Sequence, residues 1–109
     1  MKGLTVLLVD DEPLMRLSMM DALEAVGCEV QAASTGTEGL EALREKTYDV
    51  VITDLRLPGV DGLTVLQTAK GKELQTEVLV ITAHGSVETA VEAMKLGAFD
   101  YITKPFQMD

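Results

Sequence analysis

The chain has 109 residues, with 18 Asp plus Glu against 9 Lys plus Arg, for a formal net charge of -9. That length holds one domain, and 47% hydrophobic with 25% charged content reads as a soluble globular chain rather than a disordered one. The acidic balance excludes direct binding to a nucleic-acid backbone or an anionic membrane, which needs clustered Lys and Arg, and the single cysteine, Cys28, excludes an internal disulfide framework.

The first apolar run, Leu4–Val9, predicts a strand. It is too short for a secretory signal core or a bilayer span, and nothing later is longer, so a cytoplasmic protein is expected. Met15, Met19, Ala22, Leu23 and Val26 then recur at helical spacing, with Pro13 in the first turn and Gly27 as the stop. Glu29–Ala33 predicts a second strand, with Cys28 as a buried free thiol before it. Ser34 to Gly36 reads as a turn, followed by a helix from about Thr37 to Lys46 with Leu40 and Leu43 facing inward. Asp49–Thr53 is the third predicted strand. A third helix follows Gly62, with Leu63, Val65, Leu66 and Ala69 apolar and Gly71 expected to close it. Glu77–Thr82 is the fourth strand. The fourth helix is expected to start at Ser86 as N-cap with Thr89 at N3, and to end at Gly97. Phe99–Thr103 is the fifth strand.

Strand and helix in strict alternation predict βαβ units and a doubly wound parallel sheet. Val6 to Val9 and Val50 to Ile52 are apolar without alternation, which suits central strands covered on both faces. After the fifth strand only Lys104 to Asp109 remain, so the helix that would close such a sheet is largely missing. Either something else covers that face of the sheet or, as is expected here, residues 1–109 are the N-terminal fragment of a longer protein.

In an open α/β sheet, sites form beyond the carboxyl ends of the strands. Those ends carry Asp10, Asp11 and Glu12 after strand one, Ser34 after strand two, Asp54 after strand three, Thr82 with Ala83 and His84 after strand four, and Lys104-Pro105 after strand five. If strands one and three are neighbours, Asp10, Asp11 and Asp54 converge. Three converging carboxylates repel one another, and a divalent cation relieves the repulsion. An oxygen-only donor set points to Mg²⁺ rather than zinc. A lysine and a hydroxyl beside it suit a phosphoryl group, and an aspartate can accept one as an acyl phosphate.

Val9-Asp10-Asp11-Glu12, Ile52-Thr53-Asp54, Ile81-Thr82-Ala83 and Thr103-Lys104-Pro105 resemble the site motifs of bacterial two-component response-regulator receiver domains. The stretches Asp54 to Gly62 and Thr82 to Phe106 resemble the receivers of NtrC-like transcriptional activators. The resemblance implies a flavodoxin-like sheet in strand order 2-1-3-4-5. It implies that Asp54 accepts a phosphoryl group from a sensor histidine kinase or phosphotransfer protein. It implies that Asp11, Asp54 and the backbone carbonyl of Arg56 bind Mg²⁺, with Asp10 acting mainly through water. Lys104 and Thr82 would contact the phosphoryl oxygens, and the small Ala83 would leave access to them. Pro105 would follow a cis peptide. Arg56 and His84 would tune the lifetime of the phosphoryl group, and Thr82 with Tyr101 would form the switch. The family's output is a covalently linked ATPase and DNA-binding region, and a homodimer is compatible with the pattern. Catalysis would extend no further than the chain's own phosphorylation and dephosphorylation.

The fourth helix carries Val87, Ala90, Val91, Ala93 and Met94, too wide an apolar arc for one core stripe. Val87, Val91 and Met94 are therefore a candidate partner surface. Leu14, Leu17 and Met20 lie beyond the inner stripe of the first helix, and Leu14 and Leu17, with Pro58 and Phe106, are a candidate kinase surface. Three rival readings remain at this stage. They are a Mg²⁺ phosphohydrolase with an aspartyl nucleophile, a flavin mononucleotide module, and a receiver-like fold used only for binding. The adjacent Asp10 and Asp11 depart from the Asp-x-Asp of the first, and Asp-Asp-Glu after strand one would repel the phosphate of the second.

Overall fold

The structure is a computed structural model that describes residues 3–83 and 85–104. Its strands are β1 (Thr5–Val9), β2 (Glu29–Ala33), β3 (Val50–Thr53), β4 (Glu77–Thr82) and β5 (Asp100–Thr103). The helices between them are α1 (Pro13–Ala25), α2 (Gly36–Glu45), α3 (Gly62–Lys72) and α4 (Val87–Lys95). All strand pairs are parallel, in the order β2-β1-β3-β4-β5, as the motif resemblance implies. This is a doubly wound, flavodoxin-like α/β sheet.

The central strands behave as their unbroken apolar runs predict. Val6, Leu7, Leu8 and Val9 are all buried, and alternate residues serve opposite faces. Leu7, Val9, Val51, Val78 and Val80 form one core with Leu43 of α2, Val65, Leu66 and Ala69 of α3, and Ala93 of α4. Val6, Leu8, Ile52 and Ile81 form the other, with Cys28 and with Met19, Met20 and Leu23 of α1. Each fully buried Leu or Val contributes about 1.5–3 kcal/mol relative to an exposed one. The β1 register places Val9 against Ala33 on one side and Thr53 on the other. Asp10 and Asp54 therefore leave the sheet side by side.

The helix ends show which local signals hold. Ser86 caps α4 by accepting from the Thr89 amide at 3.1 Å, and Thr89 Oγ1 accepts from the Ser86 amide at 3.0 Å, a full capping box. Gly27 and Gly97 take positive φ, 96° and 102°, where they were expected to stop helices. Gly71 does not close the third helix. The backbone ladder runs past it, with the Glu73 amide donating to Ala69 at 3.0 Å, and the chain turns off in extended conformation at Glu73. Lys72, the last helical residue, reaches the carbonyls of Leu43 and Lys46 at the end of α2, so this helix end is tied by a side chain rather than by a glycine turn. In α1, Met20 packs inward beside Met19, whereas Ala22 and Val26 are exposed. The helix ends at Ala25, so Val26 has left the helical phase that the spacing assumed.

One glycine fixes the approach of α3 to the sheet. A Cβ on Gly62 would fall on the carbonyl of Asp54 and within 2.9 Å of Leu55 Cα, and the Gly62 amide donates to Leu55 at 2.7 Å. The loop that carries Asp54 is closed by this contact. Gly62→Ala is expected to destabilise the fold by about 2–4 kcal/mol, since backbone and not a flexible side chain must yield. Urea unfolding measures it, and an unchanged midpoint would contradict the close approach.

Candidate functional site

Asp10 and Asp54 stand at the carboxyl ends of adjacent strands and are both buried. Their backbones continue the ladder. The Asp10 amide donates to Ala33 at 3.1 Å and the Asp54 amide to Val9 at 2.9 Å. Thr82 ends β4 at 0% exposure, and its carbonyl accepts from the Lys104 amide at 2.7 Å. That bond sets the Lys104 side chain back across the strand ends. Its ammonium lies 2.9 Å from Asp10 Oδ2 and 3.1 Å from Asp54 Oδ2, so three of the five strands meet at one cation. Glu12 adds a longer, solvent-facing contact at 3.6 Å.

The remaining carboxylate oxygens are held locally. Asp10 Oδ1 accepts from the Glu12 amide at 2.9 Å, and Asp54 Oδ1 from the Leu55 amide at 2.6 Å. Burial pulls Lys104 toward its neutral form. The hydrogen bonds and charges of Asp10 and Asp54 outweigh that penalty and hold its pKa above the ordinary lysine value.

Asp11 is exposed, yet one oxygen from each of Asp10, Asp11 and Asp54 lies within 4.8 Å of the others. Three hard oxygen donors at that spacing fit Mg²⁺ or a similar divalent cation and offer no nitrogen or sulfur to a softer metal. The fit is chemical as well as spatial. One ammonium against two buried carboxylates and an adjacent exposed one leaves the cluster net negative.

The other anticipated residues separate into groups. Arg56 and Pro58 are exposed on the loop after β3, and the Pro58 carbonyl accepts from Gly36 at 3.0 Å. Leu14 and Leu17 are exposed on α1, as are Val87, Val91 and Met94 on α4, while Ala93 of the same helix is fully buried. The wide arc of α4 is thus part core and part surface. Tyr101 is half-buried, and its hydroxyl lies 2.7 Å from Thr89 Oγ1 at the start of α4. His84, Pro105 and Phe106 lie outside the described residues.

The sequence reading placed Glu12 at the end of strand one without a role and missed Arg16. Glu12 joins the Lys104 ion pairs, and Arg16 Nη1 donates to the Asp10 carbonyl at 2.8 Å. A signal for Arg16 was present. It sits in the first turn of α1, where helical side chains point back toward the N-terminus and so toward Asp10.

The sequence matches the response regulator receiver domain family over residues 6–109. It is 40% identical over 104 residues to the regulatory protein AtoC of Escherichia coli K12, covering 95% of this chain and 23% of that protein. It is 41% identical over 104 residues to the DNA-binding transcriptional regulator NtrC of the same organism, covering 95% and 22%. The chain thus spans less than a quarter of the length of these curated relatives. Among solved structures it resembles a response regulator from Burkholderia pseudomallei with a phosphorylated aspartic acid, calcium ion and citrate. The TM-score is 0.89 at 28% identity, covering 96% of this chain and 62% of that one. Among the described residues, no helix is long and apolar enough to cross a membrane.

Lys104→Met is expected to lower stability by about 2 kcal/mol at low divalent-cation concentration, because two buried carboxylates lose their counter-charge. Added Mg²⁺ should restore part of the loss. Thermal unfolding with and without Mg²⁺ checks both. A variant as stable as the parent, or indifferent to Mg²⁺, would contradict this electrostatic account.

Proposed function

The chain belongs to the response regulator receiver domain family, and on that footing we propose that Asp54 accepts a phosphoryl group from a sensor histidine kinase or phosphotransfer protein in a Mg²⁺-dependent reaction. The observation that carries the reading is the convergence of the buried Asp54 with Asp10, Asp11 and Lys104 at the strand ends. A lone buried carboxylate would be a poor place to build negative charge. Here the donor set invites a second positive charge to join the ammonium.

In the proposed step, an Asp54 carboxylate oxygen bonds to phosphorus as the phosphorus–nitrogen bond of a phosphohistidine breaks. The imidazole leaves with the bonding electron pair and regains a proton from solvent. Asp10, Asp11, Asp54 and the Arg56 carbonyl would hold the Mg²⁺, which when bound neutralises charge on the transferring phosphoryl oxygens. The Leu55 amide and the Lys104 ammonium already touch the two Asp54 oxygens, so they fix the carboxylate's orientation before any phosphoryl donor arrives. Lys104 then moves its charge from carboxylate to phosphoryl oxygen. Thr82, whose carbonyl anchors the Lys104 backbone, would donate its hydroxyl to another. Arg56, exposed at the rim, and His84 would set the lifetime of the acyl phosphate.

Signal would leave through Thr82, Tyr101 and α4. The Tyr101 hydroxyl is tied to Thr89, a member of the α4 capping box, so displacement of the ring disturbs the start of that helix. Val87, Val91 and Met94 supply apolar surface there for the chain's own output region, proposed to be an ATPase and DNA-binding unit controlling transcription, or for a second receiver. Leu14 and Leu17, with Pro58 and Phe106, would meet the kinase. Receiver-controlled transcription agrees with the similarity to NtrC, a DNA-binding transcriptional regulator.

Incubation with acetyl phosphate and Mg²⁺ tests the reading. Intact mass should rise by one phosphoryl group, and both Asp54→Asn and removal of Mg²⁺ by chelation should abolish the gain. Sustained turnover of a phosphate ester would favour a phosphohydrolase, and no gain at all a module used only for binding.

A further inference from the structure

Every polar backbone and side-chain atom of Asp10 is engaged. Its amide donates to Ala33, Oδ1 accepts from the Glu12 amide, Oδ2 accepts from Lys104, and its carbonyl accepts from Arg16 Nη1 at 2.8 Å. Two of these bonds flank Asp11 rather than Asp10. The carbonyl gripped by Arg16 belongs to the peptide that enters Asp11. The Glu12 amide gripped by Asp10 Oδ1 belongs to the peptide that leaves it. With both planes pinned, the dihedrals of Asp11 are set although its own side chain is exposed.

Arg16 is itself half-buried, and its positive field reaches Glu38 of α2. Glu38, in the first turn of α2, accepts at Oε1 from the Ser34 amide at 2.8 Å and the Ser34 hydroxyl at 3.0 Å. Those bonds, the amide first, hold the Glu38 carboxyl below the ordinary glutamate value, and the positive field of Arg16 adds to the effect. A negative Glu38 lies within the electrostatic reach of the guanidinium, though beyond ion-pair distance, and offsets part of its charge toward a cation held nearby.

We infer that Arg16 is a positioning residue for divalent-cation capture, acting by fixing the peptide that presents Asp11 toward Asp54. The inference deepens the reading of Asp10, Asp11 and Asp54 as a cation site and rests on it. Arg16 touches neither the cation nor the phosphoryl group in this account. Its contact with the carbonyl is a single hydrogen bond rather than a bidentate fork, so a lysine retains both the donor and the charge.

The test compares the parent chain with Arg16→Ala, Arg16→Lys and Glu38→Gln. Mg²⁺ affinity is read from amide shifts in a two-dimensional NMR titration, well below the melting temperature of each protein. Arg16→Ala should bind Mg²⁺ about tenfold more weakly, in the range typical of groups that orient metal ligands. Arg16→Lys should recover most of the loss, and Glu38→Gln should show a smaller weakening. Without any cation, the Glu12 amide should exchange with solvent faster in Arg16→Ala than in the parent. In acetyl phosphate reactions the defect should appear as a higher half-saturating Mg²⁺ concentration, with the greater part of the rate regained at saturation. If Arg16→Ala fails to fold, Arg16→Met, which keeps the aliphatic stem and removes the donor, takes its place, and an affinity equal to the parent's overturns the inference. A lowered melting temperature with parent-like or tighter Mg²⁺ binding shows a structural role only and overturns it as well. A parent chain that binds Mg²⁺ while Arg16→Ala binds it equally well sinks this inference and leaves the proposed function standing. A parent chain that binds no Mg²⁺ sinks both.

Discussion

One ammonium bridging two carboxylates from different strands is the constraint on which the carboxyl end of this sheet depends. Lys104 comes from beyond β5, at one edge of the sheet, and meets Asp10 and Asp54 beyond the two central strands. Nothing in backbone pairing requires that reach, since β4 lies between. The reach exists because β4 ends in Thr82, whose carbonyl takes the Lys104 amide and aims the side chain back over the strand ends. The core makes the contact firm. Val9, Thr53 and Thr82, the residues just inside the site, are all fully buried, so the acidic groups project from a packed platform rather than from mobile loops.

The charge balance there is deliberately incomplete in a physical sense. Two buried carboxylates and an exposed one face a single lysine, with Glu12 at longer range. Such a cluster tolerates its own repulsion while Lys104 remains, and it gains from any added divalent cation. The same imbalance makes it a poor site for a free anion and a good one for a phosphoryl group accompanied by a metal. Fold and chemistry are therefore coupled through one side chain that serves as counter-ion in the resting domain and, in the proposed function, as phosphoryl ligand.

Much of this was legible in the sequence because the relevant signals are local. Unbroken apolar runs gave β1 and β3 as central strands, and Ser86 with Thr89 gave the start of α4. The residues at or just beyond the strand ends gave Asp10, Asp54, Thr82 and Lys104. What was not legible depended on tertiary direction. Met20 reads as lying outside the inner stripe, yet α1 sits on its sheet face so that Met19 and Met20 both pack inward. Gly71 reads as a helix stop, yet the ladder continues through it to Lys72, whose contacts lie on another helix. Arg16 carries only a partial signal, its place in the first turn of α1. Its grip on the Asp10 carbonyl exists only because the chain turns sharply between β1 and α1.

The most direct measurement is a crystal structure of the chain grown with Mg²⁺ and beryllofluoride, which mimics a phosphoryl group on a carboxylate. The account predicts an octahedral ion held by Asp11, Asp54 and the Arg56 carbonyl, with the fluoride complex on Asp54 and Lys104 turned from the carboxylates to a fluorine. A structure with no ion among the three aspartates, and Lys104 still bridging Asp10 and Asp54, would contradict it.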